Sequence, residues 1–186
     1  MPASFKLGWL ARVARVSHVD IYVHWSVFLI GALVLWSARR NPLPAVVGLT
    51  AYLAILLIHE SGHLIIARRR GYDALSIAIY PIFGIARFER PSSRFDRGVI
   101  AWGGVLAQTI VSVPIVLCVQ VFGYTPWEPL NAALAILGAF SLGIGAFNLL
   151  PIRPLDGSVA WDLIPAFLEQ RRLQKNRRVV PYRSTR

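Results

Sequence analysis

The stretch Leu53-Ala54-Ile55-Leu56-Leu57-Ile58-His59-Glu60-Ser61-Gly62-His63-Leu64-Ile65-Ile66-Ala67 sets two imidazoles and a carboxylate inside an otherwise apolar run. On a helix, residues four apart share a face and lie about 6 Å apart along the axis, so His59 and His63 can reach one metal ion. Glu60 then projects beside the open coordination position, where a carboxylate can take a proton from water. With four His and four Glu in 186 residues, a chance His-Glu-x-x-His has a probability on the order of 0.002. A Glu-His hydrogen bond that tightens helix packing would explain one histidine. It does not explain three ionisable groups at metal-ligand spacing, since at such depth each is costly unless paired or bound to a metal.

Composition gives the setting. Hydrophobic residues make up 55% of the chain and mean hydropathy is +0.53, too apolar for an ordinary soluble domain of this length. A single integral-membrane unit is expected over residues 1–170, followed by a basic, disordered tail over 171–186. The net charge of +11 would suggest nucleic acid in a soluble protein. Here the arginines gather at the ends of apolar runs, as in the cytoplasmic loops of membrane proteins, and no nucleic-acid partner is expected. Cys118, the only cysteine, lies in an apolar run and is read as packing.

Outward from the opening stretch, hydropathy predicts an all-α membrane fold of about four transmembrane helices. The first covers Val19 to Trp36, too long for the core of a signal peptide and followed by no clear cleavage site. His18 and His24 flank it and are read as interfacial. The second runs from Leu43 to Ala67 and stops at Arg68-Arg69-Arg70, the third from Gly98 to Phe122, and the fourth from Pro129 to Leu150. Gly103-Gly104 in the third and Gly138, Gly143 and Gly145 in the fourth suit close helix packing. Between spans two and three, Ala74–Tyr80 and Ile85–Glu89 around Pro81-Ile82-Phe83-Gly84 predict a small membrane-associated β-hairpin.

Counted by segment, Lys and Arg number 3 before span one, 2 after it, 7 after span two, 0 after span three and 8 after span four. Alternate segments hold 18 against 2, which puts both termini and the 68–97 loop in the cytoplasm, with a prokaryotic cell membrane as the simplest home. Span two then ends on the same side as span four, just where Asn148-Leu149-Leu150-Pro151-Ile152-Arg153-Pro154-Leu155-Asp156-Gly157 breaks the helix and offers a carboxylate. A hydrolytic zinc commonly takes three protein ligands and a water. Asp156 is the expected third ligand beside His59 and His63. Asp20, Glu89 and Asp162 are rivals that lack helix-breaking prolines to fix them.

These residues resemble the site-2 proteases, intramembrane zinc metalloproteases. The likeness rests on His59-Glu60-x-x-His63 within a transmembrane helix, on Asn148-x-x-Pro151-x-x-Pro154-Leu155-Asp156-Gly157 at the end of a later one, and on Tyr80-Pro81-x-x-Gly84-x-Ala86-Arg87 between them. It covers about residues 20 to 165 and implies one zinc on His59, His63 and Asp156, Glu60 as general base, and Asn148 holding the substrate backbone or transition state. The family's Gly-Pro pair with a following Asn in the third span appears here as Gly103-Gly104 with Gln108, so no catalytic role passes to those residues. With no loop long enough for a PDZ domain, the chain looks like a minimal core.

The expected function is hydrolysis of peptide bonds in or near a membrane-protein substrate helix, releasing a cytoplasmic fragment. The hairpin would offer an edge to the unwound substrate, and the basic face and tail would meet anionic lipid. The rival reading is a zinc-binding membrane protein without protease activity, a transporter or an inactive regulator. A transporter would be expected to show repeated halves and polar groups at the midplane of several spans, whereas here they gather at one edge.

Overall fold

A computed structural model of the chain describes residues 9 to 179. Its elements are β1 (Leu10–Val16), β2 (Val19–His24), α1 (Trp25–Ser37), α2 (Pro42–Arg69), β3 (Ala74–Ile79) and β4 (Gly84–Phe88). They are followed by α3 (Arg94–Phe122), α4 (Glu128–Asn148), and then α5 (Gly157–Ala160) and α6 (Leu163–Val179). Three of the helices, α2, α3 and α4, are long and apolar enough to cross a membrane.

The all-α expectation is therefore wrong on two counts. The expected hairpin is present as β3 and β4, but it is half of a four-stranded sheet in the order β1-β2-β3-β4, with β2 and β3 parallel and both outer pairs antiparallel. The run read as span one is two elements, the strand β2 and the 13-residue helix α1, and at about 20 Å such a helix is shorter than a bilayer core. The cause is legible in hindsight. Asp20, Tyr22 and His24 alternate with Val19, Ile21 and Val23, which is the period of a strand with one buried face. His24 ends the strand and starts the helix, its Nδ1 accepting from the Ser26 amide at 3.3 Å as an N-cap does.

The sheet lies along α2. Its inner face carries Val19, Val23, Ile77, Ile79, Ala86 and Phe88, which pack with Leu56 and Leu64 of α2 and Val27 of α1. The Arg68 guanidinium donates to the Ser17 carbonyl at 2.5 Å, which fixes the β1–β2 turn at that end of the helix. The Tyr52 hydroxyl donates to the Pro81 carbonyl at 2.9 Å, which fixes the β3–β4 turn well along it. The sheet thus runs inward from the Arg68 end. From Ser17 to Asn41, β2 and α1 together cover the whole of α2, about 20 Å as strand and 20 Å as helix against about 42 Å.

Helices α2 and α3 touch through glycine. A β-carbon on Gly103 would lie 2.6 Å from the Gly62 carbonyl oxygen, so the backbones meet as in small-residue packing of membrane helices. Asn41 donates to Glu128 at 3.0 Å, which brings the start of α4 to the start of α2. A π-helical stretch, Ile136–Phe140, interrupts α4 where Gly138 packs against Ile115 and Val116. The tail expected from residue 171 lies in α6 as far as Val179. Residues 180–186, and Lys6 near the start, lie outside the described residues.

Candidate metal centre

His59 and His63 project from one face of α2 with ring centroids 4.8 Å apart and planes at 83°. Both are buried, at 6% exposure. Helix α3 holds the far side of each ring: His59 Nδ1 lies 2.8 Å from Gln108 Oε1 and His63 Nδ1 lies 2.8 Å from the Ile100 carbonyl. A carbonyl oxygen only accepts, so both Nδ1 atoms donate and both Nε2 atoms turn a lone pair inward. Gly104 leaves room for this. Its β-carbon would lie 2.6 Å from His59 Cε1 and from His63 Nε2.

Asp156 arrives from the segment after α4. Asn148 ends that helix, and the chain then turns through Pro151 and Pro154. Trp161 Nε1 donates to the Leu149 carbonyl at 2.7 Å, and Trp102 Nε1 on α3 donates to the Ala160 carbonyl at 3.1 Å, so both ends of the turn are tied. Asp156 Oδ2 consequently lies 2.9 Å from His59 Nε2 and 3.2 Å from His63 Nε2, and the two Nε2 atoms are 3.1 Å apart.

His59, His63 and Asp156 could hold a metal ion, with ligand atoms all within 4.8 Å of one another. The donor set fits one. Two imidazole lone pairs and a carboxylate oxygen converge at 2.9 to 3.2 Å, close to the roughly 3.3 Å edge of a tetrahedron with 2.0–2.1 Å bonds. Three acceptors so placed need a positive charge among them.

Glu60, also 6% exposed, lies under β4. A β-carbon on Gly84 would lie 2.6 Å from Glu60 Oε1, and the Ala86 amide faces the same carboxylate. Asn148 Nδ2 is 3.5 Å from His59 Nε2. The other residues weighed for the site are elsewhere. Asp20 pairs with Arg12 and Arg15, Asp162 with Arg94, Glu89 donates its amide to the Asp73 carbonyl, and His18 sits in the β1–β2 turn.

No protein-family model matches the sequence. Curated relatives do. The chain is 32% identical over 171 residues to sll0528 of Synechocystis sp., which covers 82% of this chain, and 32% identical over 178 residues to Rip3 of Mycobacterium tuberculosis, which covers 86%. Both are provisionally named zinc metalloproteases. It is 26% identical over 158 residues, 81% of its length, to the zinc metalloprotease MJ0392 of Methanocaldococcus jannaschii. It spans 44% of the length of each. The solved site-2 protease from Methanocaldococcus jannaschii superposes with a TM-score of 0.65 at 22% identity, over 87% of this chain and 73% of that one.

The chain is similar to proteins named zinc metalloproteases and shares the fold of a site-2 protease. It is a membrane protein with the site-2 protease fold. The sequence motifs give Gln108, Gly104 and Ile100, which lie against the imidazoles, no part in the metal site. Ile100 acts through its backbone, which no side-chain pattern reveals, and Gln108 lies 49 positions from His59. Gly84 of the Tyr80-Pro81-x-x-Gly84 motif has a structural reason, since the Glu60 carboxylate fills the space of its missing side chain.

Proposed function

We propose that the chain is an intramembrane zinc metalloprotease that hydrolyses peptide bonds in or near transmembrane segments of membrane-protein substrates. One zinc per chain would sit on His59, His63 and Asp156. The observation that carries this reading is the convergence of those three ligand atoms beside the buried Glu60, within a helix long enough to cross a membrane. Zinc, when bound, supplies Lewis acidity that makes a water molecule a nucleophile near neutral pH and polarises a carbonyl.

The chain's own residues handle the proton and the substrate. Glu60 takes a proton from the attacking water as the new C–O bond forms, and returns it to the amide nitrogen as the C–N bond breaks. Asn148, at the end of α4 beside His59, would donate from Nδ2 to the substrate's carbonyl oxygen as charge builds there. Gln108 and the Ile100 carbonyl hold both imidazoles in the tautomer that leaves Nε2 free.

An unwound substrate would enter as a strand. In the sheet order, β3 is paired on both sides and β4 is an outer strand, so the edge is β4, and proline at Ile77 or Ile79 would break the sheet itself. Strand Gly84–Phe88 lies against Glu60, so a peptide added along it would meet the carboxylate. The 18 to 2 division of Lys and Arg supports placing the Arg68 end of α2, the β1–β2 turn and both termini in the cytoplasm, so cleavage would release a cytoplasmic fragment.

The deciding experiment compares the wild type with Glu60→Gln in reconstituted membranes against a panel of single-span substrates, with zinc content measured for both. Zinc retained and cleavage lost is the expected result. Equal cleavage by the two proteins would sink the reading.

A further inference from the structure

The outer face of the sheet, turned away from α2, has an order that the peptidase centre does not use. Strand register assembles it in rows. Arg15 stands opposite Asp20, Asp20 beside Ser76, and Ser76 opposite Arg87. In the next row Arg12 stands opposite Tyr22, Tyr22 beside Ala78, and Ala78 opposite Ile85. The third row is aromatic, with His24 stacked on Tyr80 at 5.0 Å, Tyr80 on Phe83 at 4.8 Å, and Trp25 5.7 Å from His24.

Arg12 and Arg15 are three apart and would point to opposite faces of a regular strand. The register shift between Arg12 and Ala14 puts them on the same face, as a bulge does when it re-aims a side chain. One carboxylate serves both, with Asp20 Oδ1 3.5 Å from Arg12 Nη1 and 3.7 Å from Arg15 Nε. Each guanidinium has five N–H donors, and each side chain is 58% exposed, so most of that capacity faces outward. Between the rows lies a cleft of ≈ 190 Å³ lined by Leu10, Asp20, Tyr22, Ser76, Ala78 and Arg87.

The rows are also ordered in depth. The arginine row is near the β1–β2 turn that Arg68 holds, and the aromatic row is near the β3–β4 turn that Tyr52 holds. From the charged end of a membrane-crossing helix inward, the face therefore offers guanidinium, then tyrosine and small apolar side chains, then aromatic rings. A phospholipid presents phosphate, glycerol backbone and acyl chain over the same path.

We propose that this face binds an anionic phospholipid of the leaflet at the Arg68 end of α2, its phosphate on Arg12 and Arg15 and its chains over Tyr22, Leu10 and the aromatic row. The inference stands on the sheet and on α2 crossing the membrane, and is independent of the peptidase reading. Asp20, between the two arginines, keeps them extended side by side.

The test is native mass spectrometry of the full chain offered equal amounts of phosphatidylglycerol and phosphatidylcholine with identical acyl chains. Wild type should retain phosphatidylglycerol preferentially, by roughly five-fold for each arginine. Arg12→Gln with Arg15→Gln, both at exposed positions, should remove the preference, and Arg39→Gln with Arg40→Gln at the other end of α2 should keep it. Equal retention by wild type, a preference that survives Arg12→Gln/Arg15→Gln, or one lost equally in the Arg39/Arg40 variant would each overturn the proposal, the last by showing a response to net charge alone. Preference confined to an acidic peptide offered in the same competition would assign the face to a protein partner instead.

Discussion

Gln108 Oε1 accepts from His59 Nδ1 at 2.8 Å across the contact between α3 and α2. Gln108 is 1% exposed, and its amide nitrogen has no hydrogen-bond partner among the described residues. A buried glutamine held on one side only is costly, and here its oxygen sets the tautomer of an imidazole.

Replacing Gln108 with leucine leaves that imidazole N–H without an acceptor. Zinc affinity should fall about 10- to 100-fold, read by competition with a chromophoric chelator. Glu at the same position keeps an acceptor and should retain binding within a few-fold of wild type. Loss in both variants would show that packing, not the hydrogen bond, matters at residue 108.

Gly104→Ala puts a methyl group 2.6 Å from atoms of both imidazoles. Separation of α2 from α3 or displacement of the rings must follow, at about 1–3 kcal/mol. Bound zinc should drop below wild type in metal analysis, while Gly143→Ala, where a β-carbon meets nothing within 4 Å, should leave zinc content and thermal midpoint unchanged.

Metal removal should destabilise the fold as well as the activity, because His59 and His63 on α2 and Asp156 beyond α4 then lose their common partner. At free zinc one thousand times its dissociation constant, the holo form gains about 4 kcal/mol. Chelation should lower the thermal midpoint of wild type and hardly move that of Asp156→Ala.

The β1–β2 turn has Ser17 at φ 48° and His18 at φ 66°, the left-handed pair of a type I′ hairpin. His18→Gly should stabilise the chain by about 0.5–1 kcal/mol by relieving one of these positions, seen as a raised midpoint in detergent. A lowered midpoint would show that the imidazole makes a contact worth more than the strain.

That turn also shows why the sheet was half hidden in the sequence. A type I′ hairpin is usually announced by Asn-Gly or Asp-Gly, and Ser17-His18 carries neither cue. The apolar length from Val19 to Trp36 then outweighed the alternation of Asp20, Tyr22 and His24. By contrast, the spacing of His59 and His63 is a property of any helix and can be read locally, and the prolines before Asp156 mark a helix end wherever it lies. Two bulges, one between Arg12 and Ala14 and one between Ala74 and Ser76, depend on pairing partners far along the chain. So do the Gln108 and Ile100 contacts, which need α3 in place before they exist.

The path from Ser17 to Asn41, half strand and half helix, bears on how the chain is made. A strand cannot be left in lipid with its amides unpaired, and β2 needs β3 on one side. That partner is synthesised only after all of α2. Strand β2 therefore cannot complete its hydrogen bonds until β3 has been made. Nascent chains that stop at residue 73 should leave the β2 amides open to hydrogen exchange, and chains that extend past residue 88 should protect them.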